Sequence, residues 1–229
     1  MNGFLLINKP AGPTSHDIVD EVRKIFKIRK VGHAGTLDPF AGGLLIIGIG
    51  KATKELAKIQ GLPKTYSGTM AFGVRSTTDD PEGIITESGA PLPKKEEVEI
   101  AFKKFVGKIN QVPPIYSAKK INGKKLYEIA RAGGSIEIPP VRVTIKSLNL
   151  LEYGHGLARF ETTVSSGTYI RALARDIGNM LGVGGYLKEL ERTRIGDCSL
   201  KDAVNMANLR ENPTQYLIPE LKCATLNAD

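Results

Sequence analysis

Apolar residues come in short blocks along this 229-residue chain, and the period of each block predicts its element. Phe4-Leu5-Leu6-Ile7 predicts a short strand, closed by the turn-forming Asn8-Lys9-Pro10-Ala11-Gly12-Pro13. Ser15 is placed to N-cap a helix carrying Ile18, Val22, Ile25 and Phe26 on one face. Leu44 to Ile49 reads as a buried strand, Lys51 to Ile59 as a helix and Tyr66 to Val74 as another strand. Glu96 to Val106 predicts a helix with Val98, Ile100, Ala101 and Phe105 inward. Val141 to Lys146 alternates as a half-buried strand should, and the phase changes at Ser147, which predicts a bulge. Ala158, Phe160, Thr162 and Val164 form the next alternating face. Thr168 to Leu181 then reads as a helix with Ile170, Leu173, Ala174, Ile177 and Leu181 inward.

Strands separated by helices, with consecutive strands late in the chain, predict a mixed α+β fold rather than a doubly wound one. The segment from Gln111 to Pro140 has prolines at both ends, a basic loop and a short helical stretch, and reads as a flap-like insertion. A single domain over residues 1–229 is expected, with a short extension over about 201–229.

Composition narrows the partners. Hydrophobic residues make up 41% and charged residues 24%, the balance of a soluble globular protein. The net charge of +8 and pI near 9.4 suit an anionic partner without identifying it. The excess is patterned: Arg23-Lys24, Lys27 and Arg29-Lys30 form one cluster, and Lys119-Lys120 with Lys124-Lys125 a second. Such clusters beside candidate site residues point to phosphate binding. Cys198 and Cys223 are too few and too far apart for a disulfide framework or a CxxC metal site, and His16, His33 and His155 show no ligand spacing. The N-terminal apolar run is too short for a signal peptide, so a soluble protein of a reducing cytoplasm is expected.

The most informative chemistry lies in Gly32-His33-Ala34-Gly35-Thr36-Leu37-Asp38-Pro39. Proline pushes Asp38 towards extended or turn geometry, and Gly32, Gly35, Gly42 and Gly43 allow the backbone to approach a bulky partner. Taken alone, Asp-Pro is an ordinary turn initiator. Nucleotide-cofactor fingerprints fail nearby. A P-loop ending at Gly50-Lys51 would need glycine where Leu45 stands and Ser or Thr where Ala52 stands. Gly48-Ile49-Gly50 is followed by Thr53 where a dinucleotide fingerprint needs its last glycine.

The whole string G-H-A-G-T-L-D-P-F-A-G-G-L-L-I-I-G-I-G-K-A-T-K resembles the catalytic motif of the bacterial TruB-type tRNA pseudouridine synthases. Further stretches resemble the same family in the expected order: Asn8 to Ser15, Lys64-Thr65-Tyr66, Pro113 to Lys120, Ser166 to Arg171, and Leu190 to Arg194. The resemblance implies a mixed, largely antiparallel central sheet flanked by helices. It also implies isomerisation of uridine 55 in the T-loop of tRNA, with the base flipped out of its stack. Substrate and product are isomers, so no redox cofactor, group donor or metal is formally required, and none is expected.

By the same resemblance Asp38 is the nucleophile, a residue type already ionised at neutral pH because its ordinary pKa is about 3.9. Arg171, in the first turn of its predicted helix, pairs with that carboxylate. Tyr66 stacks on the target base and is a candidate for proton transfer, although a phenol with a pKa near 10 is a poor base unless tuned. Leu190 lines the pocket, and His33 fills the space that the flipped base leaves. Lys9 and Pro10 belong to a segment supporting the floor of the site, for which a structural role fits better than a chemical one. Lys119 and Lys120 are expected to meet RNA phosphates.

The rival from another class is a non-catalytic RNA-binding protein or tRNA-folding chaperone using the same basic surface. Binding alone would not need Asp38, Tyr66 and Arg171 together. Many family members continue into a small C-terminal PUA domain. A short form without it is expected here, acting as a monomer on the T-arm of tRNA with no membrane partner.

Overall fold

The computed structural model describes residues 1–116, 120–121, 124–125 and 137–221. In chain order the elements are β1 (Gly3–Lys9), α1 (Ser15–Phe26), β2 (Val31–His33), β3 (Gly42–Ile49), α2 (Leu56–Gly61), β4 (Lys64–Phe72), β5 (Val74–Ser76) and β6 (Ile85–Glu87). Then follow α3 (Lys95–Phe105), β7 (Gly107–Gln111), the short β8 (Lys120–Ile121) and β9 (Lys124–Lys125), β10 (Val141–Gly154) and β11 (Leu157–Val164). The chain closes with α4 (Ile170–Met180), β12 (Gly185–Ile195), β13 (Cys198–Ser199) and α5 (Met206–Glu211). Chain contacts divide these into two compact units, Met1–Ser67 with Leu190–Asp229, and Gly68–Glu189.

In the first unit β1 and β3 pair antiparallel from Gly3↔Ile49 to Lys9↔Gly43, and β2 lies antiparallel on β3. The end of β12 joins β3 in parallel at Glu191↔Gly42 and Arg192↔Gly43. Both faces of the β1–β3 pair are covered, which explains why their apolar runs are continuous rather than alternating. Leu5, Ile7, Leu45 and Ile47 face Ile18, Val19 and Val22 of α1, while Phe4, Leu6, Leu44 and Ile46 pack with Leu56, Ile59 and Leu62.

The helix α1 starts one residue earlier than predicted. Thr14, not Ser15, is the N-cap: its hydroxyl accepts from the Asp17 N–H at 3.1 Å and the Asp17 carboxylate accepts from the Thr14 N–H at 2.8 Å. This reciprocal box satisfies two terminal donors and frees Ser15 for other work. The predicted helix from Lys51 to Ile59 begins as a 3-10 turn over Gly50–Glu55 before α2. Gly50 sits at φ +62, outside the right-handed helical region, so the regular α-helix starts later, and the Asn2 side chain accepts from the free Lys51 N–H at 2.7 Å.

The second unit orders its strands β4-β11-β10-β7. The β10–β11 and β10–β7 pairs are antiparallel. The register of β10 against β11 shifts between Ile145 and Ser147, which is the bulge that the phase change predicted. Ala158, Phe160, Thr162 and Val164 are buried, as their alternation requires. In α3 the inward face is Val98, Ala101 and Phe102, whereas Ile100 is 54% exposed. The i, i+3, i+4 stripe from Val98 selects Phe102, which the sequence reading passed over.

The α+β fold with mostly antiparallel pairing is the predicted one. No helix among the described residues is long and apolar enough to cross a membrane.

Candidate active site

Asp38 lies half-buried in the turn between β2 and β3, and its neighbours are fixed on both sides. The Ser15 hydroxyl accepts from the Leu37 N–H at 2.8 Å and donates to the Leu37 carbonyl at 3.0 Å. After Asp38, the Pro39 carbonyl accepts from the Gly12 N–H at 2.8 Å and from Lys9 Nζ at 3.4 Å. The Ala41 N–H returns to the Asp38 carbonyl at 3.1 Å.

Lys9 is fully buried, and its ammonium also donates to the Pro13 carbonyl at 2.7 Å and the Pro10 carbonyl at 2.9 Å. A buried ammonium is tolerated where carbonyls take its hydrogens. Lys9 therefore supports the turn from beneath and presents no exposed charge to a ligand.

A second buried cation, Arg192 of β12, was missed when its stretch was read for Leu190 alone. It is 1% exposed, and its guanidinium donates to the carbonyls of Leu44 at 2.8 Å, Gly35 at 3.0 Å and Thr36 at 3.4 Å. Arginine inside an otherwise apolar unit was the available signal, because that residue type is rarely buried without a partner. Leu190 itself is half-buried at the start of this part of β12.

His33 ends β2, half-buried, with Nδ1 enclosed and lacking a hydrogen-bond partner among the described residues. Burial, joined by the Arg192 charge and opposed by the Gly35 backbone, holds its pKa below 6.5, so the ring is neutral at physiological pH. Lys64, the first residue of β4, buries its ammonium against the carbonyls of Gln60 and Leu62. Burial, with Arg192 adding to it, brings the Lys64 pKa down to about 8. Two residues on, Tyr66 is 8% exposed, a ring held in a strand rather than on a loop. Lys9, His33, Asp38, Tyr66 and Leu190 thus all belong to the first unit.

Arg171 belongs to the second unit, in the first turn of α4 as predicted, and is buried. Its Nη1 lies 2.7 Å from Asp80 Oδ2 and 3.1 Å from the Thr78 carbonyl, and Nη2 donates to the Tyr116 carbonyl at 2.9 Å. One helical turn later Arg175 pairs with Asp79 at 2.9 Å and donates to the Val112 carbonyl at 2.8 Å. Burial raises the Asp79 pKa against the pull of Arg175 and Arg171. The loop Ser76 to Gly83 escaped the sequence reading because a polar string around Pro81 looks like a solvated turn. The signal was Asp79-Asp80 facing two arginines at i and i+4 of a helix.

Lys119 lies outside the described residues, and for Lys120 only the backbone of β8 is described. The other basic cluster is visible: Arg23, Lys24, Lys27, Ile28 and Arg29 line a cavity of about 410 Å³ at the end of α1. Arg23 is held within it by Asp20 at 2.7 Å and by the Val31 carbonyl at 3.1 Å.

Comparison with known proteins gives a consistent result. Residues 23–170 match the TruB family pseudouridylate synthase (N terminal domain), and residues 171–218 match the tRNA pseudouridylate synthase B C-terminal domain. The tRNA pseudouridine synthase B of Thermosipho melanesiensis is 47% identical over 99% of this chain and 75% of its own. That of Aquifex aeolicus is 44% identical over 96% of this chain and 78% of its own. Among solved structures, a chain of a Cbf5-Nop10-Gar1 complex matches with a TM-score of 0.73 and 28% identity over 91% of this chain, which spans about half (54%) of that longer one. The chain belongs to the TruB family of pseudouridylate synthases, and its activity is that of a tRNA pseudouridine synthase.

Proposed function

We propose that the target is uridine 55 in the T-loop of tRNA and that Asp38 is the nucleophile. The observation carrying this reading is the fixation of Asp38. Leu37 is bound through both its amide groups, and Pro39 is held by Gly12 and Lys9, so the carboxylate between them starts from one defined backbone geometry. Prepaid orientation of this kind accelerates a reaction by many orders of magnitude.

The reaction breaks the bond from N1 to C1′, turns the base, and joins C5 to C1′. The proton on C5 leaves and N1 gains one, so atoms and electrons balance without an added reagent. Tyr66 stacks on the extruded uracil and is placed in the sequence to pass that proton. Leu190 lines the base pocket, and neutral His33 fills the gap left in the RNA stack without adding charge. Arg171 supplies the cation that keeps a carboxylate ionised, and Lys9 supports the turn. RNA phosphates meet Lys119 and Lys120, and also the cavity lined by Lys24, Lys27 and Arg29. The enzyme works as a monomer in the cytoplasm.

The test is one unmodified tRNA transcript incubated with wild type and with Asp38→Asn, followed by mapping of pseudouridine. Product is expected at position 55 with wild type alone, and turnover by the variant should be lower by roughly 10⁴–10⁶ while tRNA binding survives. Tight binding with no pseudouridine from wild type would move the chain to the RNA-chaperone class. Product at another uridine would overturn the choice of target.

A further inference from the structure

Among the described residues Arg192 heads the largest side chains that are fully buried, and the chemistry assigned above makes no use of it. Burying a guanidinium is costly, and an apolar residue of similar volume would pack the same space at least as well. The reason to keep it lies in what it spans. Its planar fork reaches Gly35 and Thr36 on one side and Leu44 on the other, which are the two ends of the segment that carries Asp38. A flexible ammonium cannot hold three carbonyls in one plane in this way.

Two glycines bring the segment close enough. Gly43 sits at φ +101, and a Cβ there would lie 2.4 Å from the Arg192 carbonyl oxygen. Gly35 sits at φ +94, and a Cβ there would lie 3.6 Å from Arg192 Nη1, so its side of the clasp is limited by backbone strain rather than by space. The ladder pair Arg192↔Gly43 fixes the arginine backbone beside the end of the segment that it closes.

We infer that Arg192 is a positioning residue for the isomerisation: it closes the 35–44 segment by clasping both ends, and so sets the place of the Asp38 carboxylate without touching the base. The inference rests on Asp38 being the nucleophile. It separates Arg192 from residues that bind RNA, because a side chain 1% exposed offers nothing to a phosphate.

The experiment measures kcat and tRNA Kd for wild type, Asp38→Asn, Arg192→Lys and Gly35→Ala, with thermal melting to show that each is folded. Arg192→Lys is expected to lower kcat by about 100-fold, the cost of misplacing a reacting group by about 1 Å, with tRNA Kd unchanged. Gly35→Ala strains the loop side of the same clasp and should give the same split between kcat and Kd. Combined in one chain, the two substitutions should cost no more than the worse one alone, because they act through one contact. If Asp38→Asn stays active, the nucleophile is misassigned, whatever Arg192 does. An inactive Asp38→Asn beside a normal kcat for folded Arg192→Lys overturns the positioning role, as does a loss confined to tRNA affinity. Should Arg192→Lys fail to fold, Gly35→Ala decides: lowered kcat at unchanged Kd supports the clasp, and unchanged kcat refutes it.

Discussion

Gly43 and Arg192 stand so close that no side chain fits between them: a Cβ on Gly43 would meet the Arg192 nitrogen at 2.6 Å as well as its carbonyl oxygen at 2.4 Å. Both obstacles are backbone atoms of a paired strand and cannot swing aside. Gly43→Ala must therefore shift β12 away from β3 or distort the turn after Asp38. A non-glycine residue at this positive φ alone costs about 1–3 kcal/mol, and the collision adds to it. Urea denaturation is the measurement, with Gly61→Ala as the control because nothing lies within 4 Å of its would-be Cβ. Equal midpoints for the two variants would mean that the parallel pair is looser than described.

A second expectation concerns the buried pair Arg171–Asp80, whose side chains are 7% and 3% exposed. Asp80→Ala takes away the carboxylate that lies 2.7 Å from the buried guanidinium. Breaking one side of a buried pair typically costs about 3–5 kcal/mol, and Asp80→Asn should cost less because an acceptor remains. Chemical denaturation of the two variants tests the order, and a wild-type midpoint for Asp80→Ala would show that the pair does not stabilise the fold.

Lys64 should leave a mark on stability at alkaline pH. In the folded chain it releases its proton near pH 8, against 10.5 for an ordinary lysine. Between those values the unfolded chain binds more protons than the folded one, so this group makes stability rise with pH. Below about pH 8 both states are protonated and the full cost of burying the charge is present. The stability of wild type relative to Lys64→Met should therefore rise with pH through that window. Denaturation curves at several pH values decide it, and a constant difference would contradict the lowered pKa.

The cavity at the end of α1 gives a salt-dependence test. Lys24, Lys27 and Arg29 line it, and reversing all three charges should flatten the dependence of tRNA affinity on salt. Every RNA phosphate that is no longer neutralised changes the log–log slope by about 0.7–0.9. A folded triple variant with the wild-type slope would remove this surface from the RNA path.

Local pattern revealed much of this architecture. The strands β1, β3 and β11 and the helices α1, α3 and α4 follow from apolar spacing, and even the bulge at Ser147 showed as a change of phase. What failed was decided by particular atoms. Thr14 took the cap from Ser15 because Asp17 could answer it, and that released Ser15 to bind Leu37. The motif order pointed to Asp38, yet the groups that hold it lie far apart in the chain. Arg192 lies 156 residues beyond Thr36, and no window of sequence shows that the two meet. The Arg171–Asp80 pair, 91 residues apart, was hidden for the same reason.

That separation has a consequence during synthesis. At roughly 5–20 residues per second the ribosome needs about 8–30 s to travel from Thr36 to Arg192. For most of that interval the segment bearing Asp38 exists without its clasp, although β1, β2 and β3 have all been synthesised and can pair. The first unit thus begins folding at its N-terminal end but cannot finish until Gly68–Glu189 has been made. On the proposed role of Asp38, a nascent chain that stops short of β12 lacks the clasp that positions it.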